Sequence, residues 1–543
     1  MLTRRSGLLE DDPQGSDRDN PAVHLRLRPR AGALDTGAPP RSGSQVVLSY
    51  LLSLLIFVPL GGTPFVYLLT RTNRRAGIYL AAGVSSVTFL IALYSYWLVS
   101  ASPPLAGQYA LMERYTWFNF QFISLDYLLG LDGLSAPLVT VSSLLSILVI
   151  IGSRRLINQN EAGYYALLLL FEGSIMGVFT SLNLIVFYIF WELVLIPMFF
   201  FIGIWGGPRR KYAALKFILF TYSGSTIMLL GFLAVYFGVP SPSFDIPDLS
   251  GKIPVGLQYL PLLASFIGFG VKLPVVPFHT WLPDAHVEAP APISVLLAGV
   301  LLKMGGYGFL RISIGLFPQA SFQYAWVFMT IGAATMFYGA IVALLARDLK
   351  RMIALTSINH MGFVLFGAYA TVVSANPLGV EGAIFQMFTH ALAIGALFML
   401  SGYVHEQAGT REIPLLKGLK VTMPRTAALL VLGSGAAMGM PPFASFLAEL
   451  MVIAAGISAY SITALTILVP VITSGYFLWM IKRSILSLPE GNSKAQSDIP
   501  KPDALAISVY FVPLVILIVF SFLIVAPAVN VAQWLINLNS GGG

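Results

Sequence analysis

The sequence predicts an all-α, polytopic membrane protein with about fourteen transmembrane helices. Of its 543 residues, 57% are hydrophobic and only 10% are charged, and its mean hydropathy is +0.79. A soluble domain of ordinary composition carries about 25% charged residues, so the expected solvent is a lipid bilayer. Apolar runs of about 20 residues, the length that crosses a bilayer core, recur from residue 47 to residue 530.

The apolar runs define fourteen spans, which are numbered here in chain order: 47–69, 77–99, 133–152, 164–181, 183–204, 213–237, 256–278, 290–315, 323–346, 351–373, 380–404, 426–457, 461–483 and 505–530. They predict five regions: a charged tail (1–45), spans 1–3 (46–160), a first set of five spans, 4–8 (161–316), a second set of five, 9–13 (317–484), and a connection with span 14 (485–543).

The first 45 residues contain seven arginines, six acidic residues and no apolar core. This composition predicts a disordered tail and argues against a cleaved signal peptide.

Lys and Arg are distributed unevenly among the connections between spans. Connections after odd-numbered spans hold nineteen, whereas those after even-numbered spans hold only Arg114 and Lys252. Basic connections stay on the cytoplasmic side of a membrane. The odd connections are therefore predicted to be cytoplasmic, or its equivalent in an organelle, with both termini on the other side.

Two spans contain helix-breaking residues at membrane depth. Span 7 carries Pro274 and Pro277 just after Lys272, and span 12 is interrupted by Gly439-Met-Pro441-Pro442. Proline removes a backbone donor and clashes with the preceding turn. Each break falls fourth in its set of five spans, and because five is odd, the second set enters from the opposite face. The pattern predicts two inverted five-helix repeats with discontinuous helices 7 and 12, as in ion transporters.

Five apolar runs each carry one acid or base near the middle: Glu172, Glu192, Lys272, Lys303 and Glu449. A charged residue at the centre of a bilayer costs about 2.5 to 3.5 kcal/mol, and a whole domain is stable by only about 5 to 15 kcal/mol. These residues therefore need partners, water or an altered protonation state. Their default interpretation is an ion or proton path.

The residue types suit proton transfer. Burial favours the neutral forms of Glu192 and Lys272, whereas pairing favours their charged forms, so such a pair has two nearly balanced states and can load and release a proton. His360 and His390 are the expected neighbours of Lys303, because an imidazole both accepts and donates protons near neutral pH. A hydrogen-bonded packing role is the alternative for Glu192 and for each histidine.

Glu449 follows the span 12 break and is expected at the far end of the row of ionisable residues. Glu172 is predicted to modulate Glu192 electrostatically.

Other kinds of site are less well supported. The segment 279–288 offers two histidines and two acids, but their spacing and two prolines favour a loop that caps broken helix 7 over a metal site. The absence of cysteine excludes disulfides and cysteine-ligated iron–sulfur clusters in this chain. Basic residues are dispersed, which argues against nucleic-acid binding. Arg311, Lys216 and the cluster from Arg347 to Arg351 are expected to anchor at the membrane interface.

Four stretches carry a family resemblance: FYIFWELVLIPMFFFIGIWGG (187–207), VKLPVVPFHTWLPDAHVEAPAPISVLLAGVLLKMGGYGFLR (271–311), RDLKRMIALTSINHMGF (347–363) and QMFTHALAIGALF (386–398). They resemble the antiporter-like membrane subunits of respiratory complex I, in the chain M or chain 4 branch of NADH:quinone oxidoreductase. The resemblance covers roughly residues 125 to 480.

The resemblance implies proton pumping that is driven by quinone reduction in partner subunits. It implies no cofactor in this chain, with flavin, iron–sulfur clusters and quinone in the partners, which include sister antiporter-like subunits. By matching motifs it assigns Glu192 and Lys272 as a coupling pair, Lys303 as the central lysine, and the remaining residues as relay histidines and a terminal carboxylate: His360, His390 and Glu449.

The resemblance leaves several functions open. NAD(P)H or ferredoxin are both possible electron donors for the complex, and the expected location is an energy-coupling membrane, either the cell membrane of a prokaryote or a thylakoid or mitochondrial inner membrane. A subunit of a multi-subunit Na⁺/H⁺ antiporter or of a membrane-bound hydrogenase is the alternative. An intramembrane metallo-hydrolase that uses His279 and His286 is a further rival.

Overall fold

A computed structural model describes residues 50–120, 124–489 and 497–540. The tail predicted for residues 1–45 lies outside these described residues. Within them, fourteen helices are long and apolar enough, by length and composition, to cross a membrane. The prediction of an all-α, polytopic membrane protein is confirmed.

The first region consists of α1 (Leu51–Thr72), α2 (Arg74–Ala101), β1 (Leu111–Asn119), β2 (Ser124–Leu131) and α3 (Ser135–Leu156). The first set of spans contains α4 (Glu161–Thr180), α5 (Leu184–Leu193), α6 (Leu195–Trp205), α7 (Arg210–Gly238), α8 (Ile246–Leu249), α9 (Val255–Lys272), α10 (Trp281–Glu288), α11 (Ala291–Leu296), a π-helical turn (Leu297–Leu301), α12 (Leu302–Gly308) and a second π-helical turn (Phe309–Ile314).

The second set contains α13 (Pro318–Gln323), α14 (Ala325–Leu344), α15 (Leu349–Ser374), α16 (Leu378–Ala408), α17 (Leu419–Thr422), α18 (Pro424–Ala437), α19 (Ser445–Ala459), a 3₁₀ helix (Ser461–Ile467), α20 (Leu468–Met480) and a π-helical turn (Ile481–Ile485). The last region contains α21 (Lys501–Ser508), α22 (Phe511–Val519) and α23 (Phe522–Ser540).

The chain leaves helical geometry at both positions where prolines predict a break. One gap separates α9 from α10, and the other separates α18 from α19. The prediction of a loop over 279–288 is wrong, because most of this segment forms helix α10. Pro283 is the third residue of that helix, where a missing N–H breaks no intrahelical bond. The inverted relation of the two sets of five stays a prediction.

Span 14 also differs from a single continuous helix. Asp503, in α21, lies 2.8 Å from Arg155 at one end of the bundle. At the other end Trp534, in α23, packs so closely on Gly315 that a Cβ atom there would lie 2.5 Å from the indole. Helices α21 to α23 therefore make one crossing in three pieces. Among the fourteen long helices, α21 with α22 counts as one span and α23 as another. Helices α18 and α19, which together form span 12, are each too short to be included.

The connections alternate between two ends of the bundle. Ion pairs join connections after odd-numbered spans at what we call the basic end: Arg155–Asp503, Arg209–Glu288 (3.6 Å) and Arg411–Asp348 (3.2 Å). Backbone bridges join even connections at what we call the hairpin end: Leu129–Ser181 and Asn183–Asp245. That the basic end faces the cytoplasm stays a prediction.

Strands β1 and β2 form an antiparallel hairpin, which the pattern of apolar runs does not predict. Glu113 in β1 accepts a hydrogen bond from the backbone N–H of Leu52 at 2.7 Å, at the start of α1. Arg114, beside it, forms ion pairs of 2.7 Å with Asp126 in β2 and with Asp245. The hairpin thereby ties span 1 to the connection after span 6.

Three spans form the buried centre. Residues Ala291–Ile314, α15 and α16 are buried throughout their most apolar stretches. Gly305 and Gly306 let α12 approach its neighbours: a Cβ atom at Gly305 would lie 2.6 Å from the backbone nitrogen of Leu273, at the end of α9. The central helices carry Lys303, His360 and His390, which are therefore shielded from lipid.

Arg311, Lys216 and the cluster from Arg347 to Arg351 were expected to anchor at the membrane interface. For Arg311 and Lys350 this prediction is wrong. Arg311 is only 1% exposed and forms an ion pair with Asp132. Lys350 is 4% exposed, and its ammonium donates a hydrogen bond to the carbonyl of Ala289. Internal acceptors explain both positions, since a buried charge needs a partner.

Candidate functional site

Four of the predicted residues form a line of side chains in the buried centre. Nζ of Lys303 lies 2.6 Å from Nδ1 of His390. The rings of His390 and His360 are nearly perpendicular, with centroids 5.3 Å apart, and Nε2 of His360 lies 3.6 Å from Oε1 of Glu449. None of the four is more than 5% exposed. The line passes from α12 through α16 and α15 to α19.

Lys303 follows the π-helical turn Leu297–Leu301, and its ammonium donates a hydrogen bond to the carbonyl of Ala298 in that turn. Single π-helical turns inside α-helices often mark functional sites. Within the described structure no carboxylate forms an ion pair with Lys303. The ammonium therefore has a carbonyl and an imidazole as its partners, and the imidazole can take its proton.

Glu449 contacts the break between α18 and α19. Gly439 in that break has a φ of +63°, and a Cβ atom there would lie 2.6 Å from Oε2 of Glu449. Any larger residue at 439 would meet the carboxylate and would also be strained, since positive φ favours glycine. The break thus makes room for the last carboxylate of the line.

Lys272 is the last residue of α9 and is fully buried. Its Nζ lies 4.5 Å from the centroid of the Trp191 indole, and it makes no hydrogen bond in the described structure. An aromatic face attracts a cation, and the C-terminal end of a helix carries partial negative charge. Both features favour a positive charge at this position.

Glu192 is half-buried near the end of α5, where the chain turns at Val194 before Pro197. Ser225, Tyr188 and the Lys272 ammonium lie close enough to Glu192 to influence its charge, and its Oε1 makes no hydrogen bond in the described structure. In the described structure, however, no carboxylate oxygen of Glu192 lies within 4.0 Å of that ammonium. The two residues of the predicted pair are neighbours that do not touch.

Glu172 faces a different helix. Its carboxylate accepts a hydrogen bond of 2.9 Å from the hydroxyl of Ser85 in α2, and the side chain is fully buried. No hydrogen bond joins it to Glu192 in the part of the chain that the structure describes. Modulation of Glu192 by Glu172 stays a prediction.

The two histidines suggested for a hydrolase contact aromatic rings. His279 lies edge-on to Tyr338, and His286 stacks on Phe398 with ring centroids 4.5 Å apart. Among the described residues, no group of three or more His, Asp or Glu side chains is placed to hold a metal ion. The described residues therefore provide no set of metal ligands for an intramembrane metallo-hydrolase.

Two residues of the site were missed from sequence. Trp191 stands directly before Glu192, and its position beside a mid-span acid was the available signal. Gly439 begins the Gly-Met-Pro-Pro break and was treated only as a helix breaker. Its contact with Glu449 depends on the path of the break, for which the sequence holds no signal.

Residues 181–474 match the family model described as NADH:quinone oxidoreductase/Mrp antiporter, TM. Subunit M of NADH-quinone oxidoreductase from Rickettsia prowazekii (strain Madrid E) is 35% identical over 489 residues, which cover 89% of this chain and 96% of that protein. NAD(P)H-quinone oxidoreductase chain 4 1 from Synechococcus sp. (strain JA-3-3Ab) is 41% identical over 404 residues, 74% of each chain.

Solved structures have the same fold. A chain of respiratory complex I from Thermus thermophilus with bound NADH superposes with a TM-score of 0.80 at 26% identity, covering 91% of this chain and 100% of that one. A chain of the Mrp complex from Dietzia sp. DQ12-45-1b gives 0.77 at 21% identity, covering 91% and 98%. The second likeness concerns the fold alone.

Proposed function

Because this chain belongs to the NADH:quinone oxidoreductase and Mrp antiporter family of membrane subunits, we propose that it moves protons through a buried Glu/Lys/His relay in a complex I-type quinone oxidoreductase. It is an integral, multi-pass membrane protein, and its relatives from Rickettsia and Synechococcus fit a prokaryotic membrane. The electron donor is NAD(P)H or ferredoxin, and redox chemistry in partner subunits drives the transfer.

The observation that carries the proposal is the line from Lys303 to Glu449. Nζ of Lys303 touches Nδ1 of His390, so a proton on the lysine has an acceptor at hydrogen-bonding distance. A neutral imidazole accepts at one nitrogen and donates from the other. Nε2 of His390 makes no hydrogen bond in the described structure and is free to pass the proton on. His360 then leads to Glu449 as the terminal acceptor.

Glu192 and Lys272 would load this line. When Lys272 moves from the indole of Trp191 toward Glu192, the pair stabilises both charges; when it returns, the carboxylate loses its counter-ion and favours the protonated form. The close contact of Gly305 with the backbone at Leu273 supports coupling between the end of α9 and the helix that carries Lys303. Separation of the pair would therefore alter the charge that Lys303 experiences.

The partners in this proposal are other membrane subunits, including sister antiporter-like subunits, and the subunits that hold flavin, iron–sulfur clusters and quinone. The chain has no cysteine to ligate an iron–sulfur cluster. Its part in the enzyme is then the translocation of protons, without a redox centre of its own.

The test uses the assembled complex in sealed vesicles, with quinone reduction and proton uptake measured together. K303M should lower the number of protons moved per electron, because it removes the first donor of the line. K350M is the matched control, since Lys350 is also buried and hydrogen-bonded to a carbonyl but lies off the line. A K303M complex that pumps like the wild type would refute the relay.

A subunit of a multi-subunit Na⁺/H⁺ antiporter is the second candidate, because the matching family model covers both kinds of complex. The proteins that co-purify with the chain discriminate between the two. Flavin-bearing and iron–sulfur partners favour the oxidoreductase, whereas a purely membrane-embedded assembly favours the antiporter.

A further inference from the structure

Two side chains of α20 form hydrogen bonds with the turn of α15 that precedes His360. The hydroxyl of Tyr476 lies 2.8 Å from the hydroxyl of Thr356. The side-chain amide of Asn359 donates to the hydroxyl of Thr473, also at 2.8 Å. All four side chains are at most 2% exposed. None of them belongs to the line of the proposed relay.

The hydroxyl protons of this network end on backbone carbonyls. Thr356 donates its own proton to the carbonyl of Met352 at 2.9 Å, so Tyr476 is the donor in the bond between the two hydroxyls. Thr473 donates to the carbonyl of Val469 at 3.0 Å. A backbone carbonyl accepts hydrogen bonds and has no proton to pass on. The network therefore joins the two helices and does not conduct protons.

The turn that α20 contacts is the one that places His360. Thr356 and His360 are four residues apart and therefore lie on the same side of α15. Helix α14 contacts the same turn, because a Cβ atom at Gly339 would lie 2.4 Å from the backbone nitrogen of Asn359. Helix α15 is thus held by α14 and α20 at this level, and a rotation or shift of the turn would move the imidazole of His360.

Helix α20 also belongs to the part of the chain that carries Glu449. It follows α19 after the short 3₁₀ helix Ser461–Ile467, and Tyr476 lies close enough to Glu449 for the two to interact electrostatically. Nε2 of His360 is 3.6 Å from Oε1 of Glu449, slightly beyond the limit of about 3.2 Å for a hydrogen bond. A shift of less than about 1 Å between α15 and α19 therefore opens or closes this step.

We propose that Tyr476 is a positioning residue of the relay: its hydrogen bond to Thr356 fixes α15 against α20 and so sets the distance from His360 to Glu449. The inference rests on the proposed relay, because Tyr476 acts only through those two side chains. Loss of one hydrogen bond between neutral groups shifts an equilibrium by about two- to tenfold. Removal of the Tyr476 hydroxyl should therefore weaken the transfer from His360 to Glu449 without abolishing it.

The test measures the proton-to-electron ratio of the assembled complex in sealed vesicles. Y476F and T356V each remove one hydroxyl of the bond, and each should lower the ratio below that of the wild type, but not as far as K303M does. T356S keeps the hydroxyl and should pump like the wild type. The double variant Y476F/T356V should pump no worse than the poorer single variant, because both changes remove the same bond.

Tyr369 provides the control for loss of a buried tyrosine hydroxyl. It lies on the same helix, is fully buried, and packs its ring on Phe328 with centroids 4.6 Å apart. Its hydroxyl makes no hydrogen bond in the described structure. Y369F should therefore leave the proton-to-electron ratio unchanged.

A Y476F complex that pumps like the wild type would overturn the inference. So would a T356S complex that pumps as poorly as T356V, or a double variant in which the losses of the two single variants add. A lower yield of assembled Y476F complex with an unchanged ratio would also overturn it, since Tyr476 would then act on assembly alone. If Y476F does not assemble, T356V and T356S decide the question. A K303M complex that pumps like the wild type would instead refute the line itself, so the two failures are distinguishable.

Discussion

Replacing Trp191 with leucine tests whether the indole holds Lys272 apart from Glu192. The ammonium lies 4.5 Å from the ring centroid, is fully buried and has no hydrogen bond in the described structure. A desolvated cation–π contact contributes about 2 kcal/mol, which corresponds to roughly thirtyfold in an equilibrium constant. W191L should therefore change the equilibrium between the two positions of Lys272, over the ring and beside Glu192, by about that factor in favour of Glu192. The Glu192–Lys272 pair would then stay closed.

The expected result is a lower proton-to-electron ratio in vesicles that contain the W191L complex. W191F keeps a ring face of weaker attraction and should give an intermediate ratio. F187L is the matched control, because Phe187 packs on Trp191 with ring centroids 5.3 Å apart, whereas the only ring under the Lys272 ammonium in the described structure is that of Trp191. It removes a similar buried aromatic group without removing the cation–π contact.

Equal proton-to-electron ratios in assembled W191L and F187L complexes would refute the holding role of Trp191. If both ratios fell together, the cause would be loss of aromatic packing. If neither fell, the position of Lys272 over the indole would have no bearing on pumping.

Three further predictions follow from the geometry. G439A should place a methyl group against the Glu449 carboxylate and so lower proton pumping. G409A is the control: Gly409 also has a positive φ, but nothing lies within 4 Å of its Cβ position. This variant should therefore affect stability alone. G305A should prevent close packing of α12 on α9 and reduce the yield of assembled complex on a native gel; normal yield would contradict this. Burial raises the pKa of Asp245 to about 6. A raised pKa in the folded state adds stability at low pH that is lost as pH rises through about 6. Hydrogen exchange in β1, corrected for intrinsic rate, should therefore be slower at pH 5 than at pH 7.5, and D245N should remove the difference.

The residues of the line could be predicted from sequence because an ionisable side chain is conspicuous within an apolar run. Lys303, His360, His390 and Glu449 were all found in this way. Their order along the line could not be predicted. His390 contacts Lys303 although His360 is nearer in sequence, because the rotation and crossing of the buried helices decide which side chains meet.

Features that depend on distant contacts were missed or misassigned. Arg311 stands near the end of its run and suggested an interfacial anchor, but its partner Asp132 is 179 residues away. The β-hairpin lies between apolar spans, where hydropathy holds no signal for pairing. In both cases the deciding interaction joins parts of the chain whose proximity is set only by tertiary packing.

Direct proton transfer needs a hydrogen bond of about 3.2 Å or less, and the line meets this limit only between Lys303 and His390. The two imidazole rings are 5.3 Å apart at their centroids, and His360 lies 3.6 Å from Glu449. Each of these steps therefore requires a ring rotation, a small shift or an intervening water molecule. A fully connected line would let the proton gradient drive protons back through the protein. In the proposed relay, the gaps are where movement of the broken helices would control the direction of transfer.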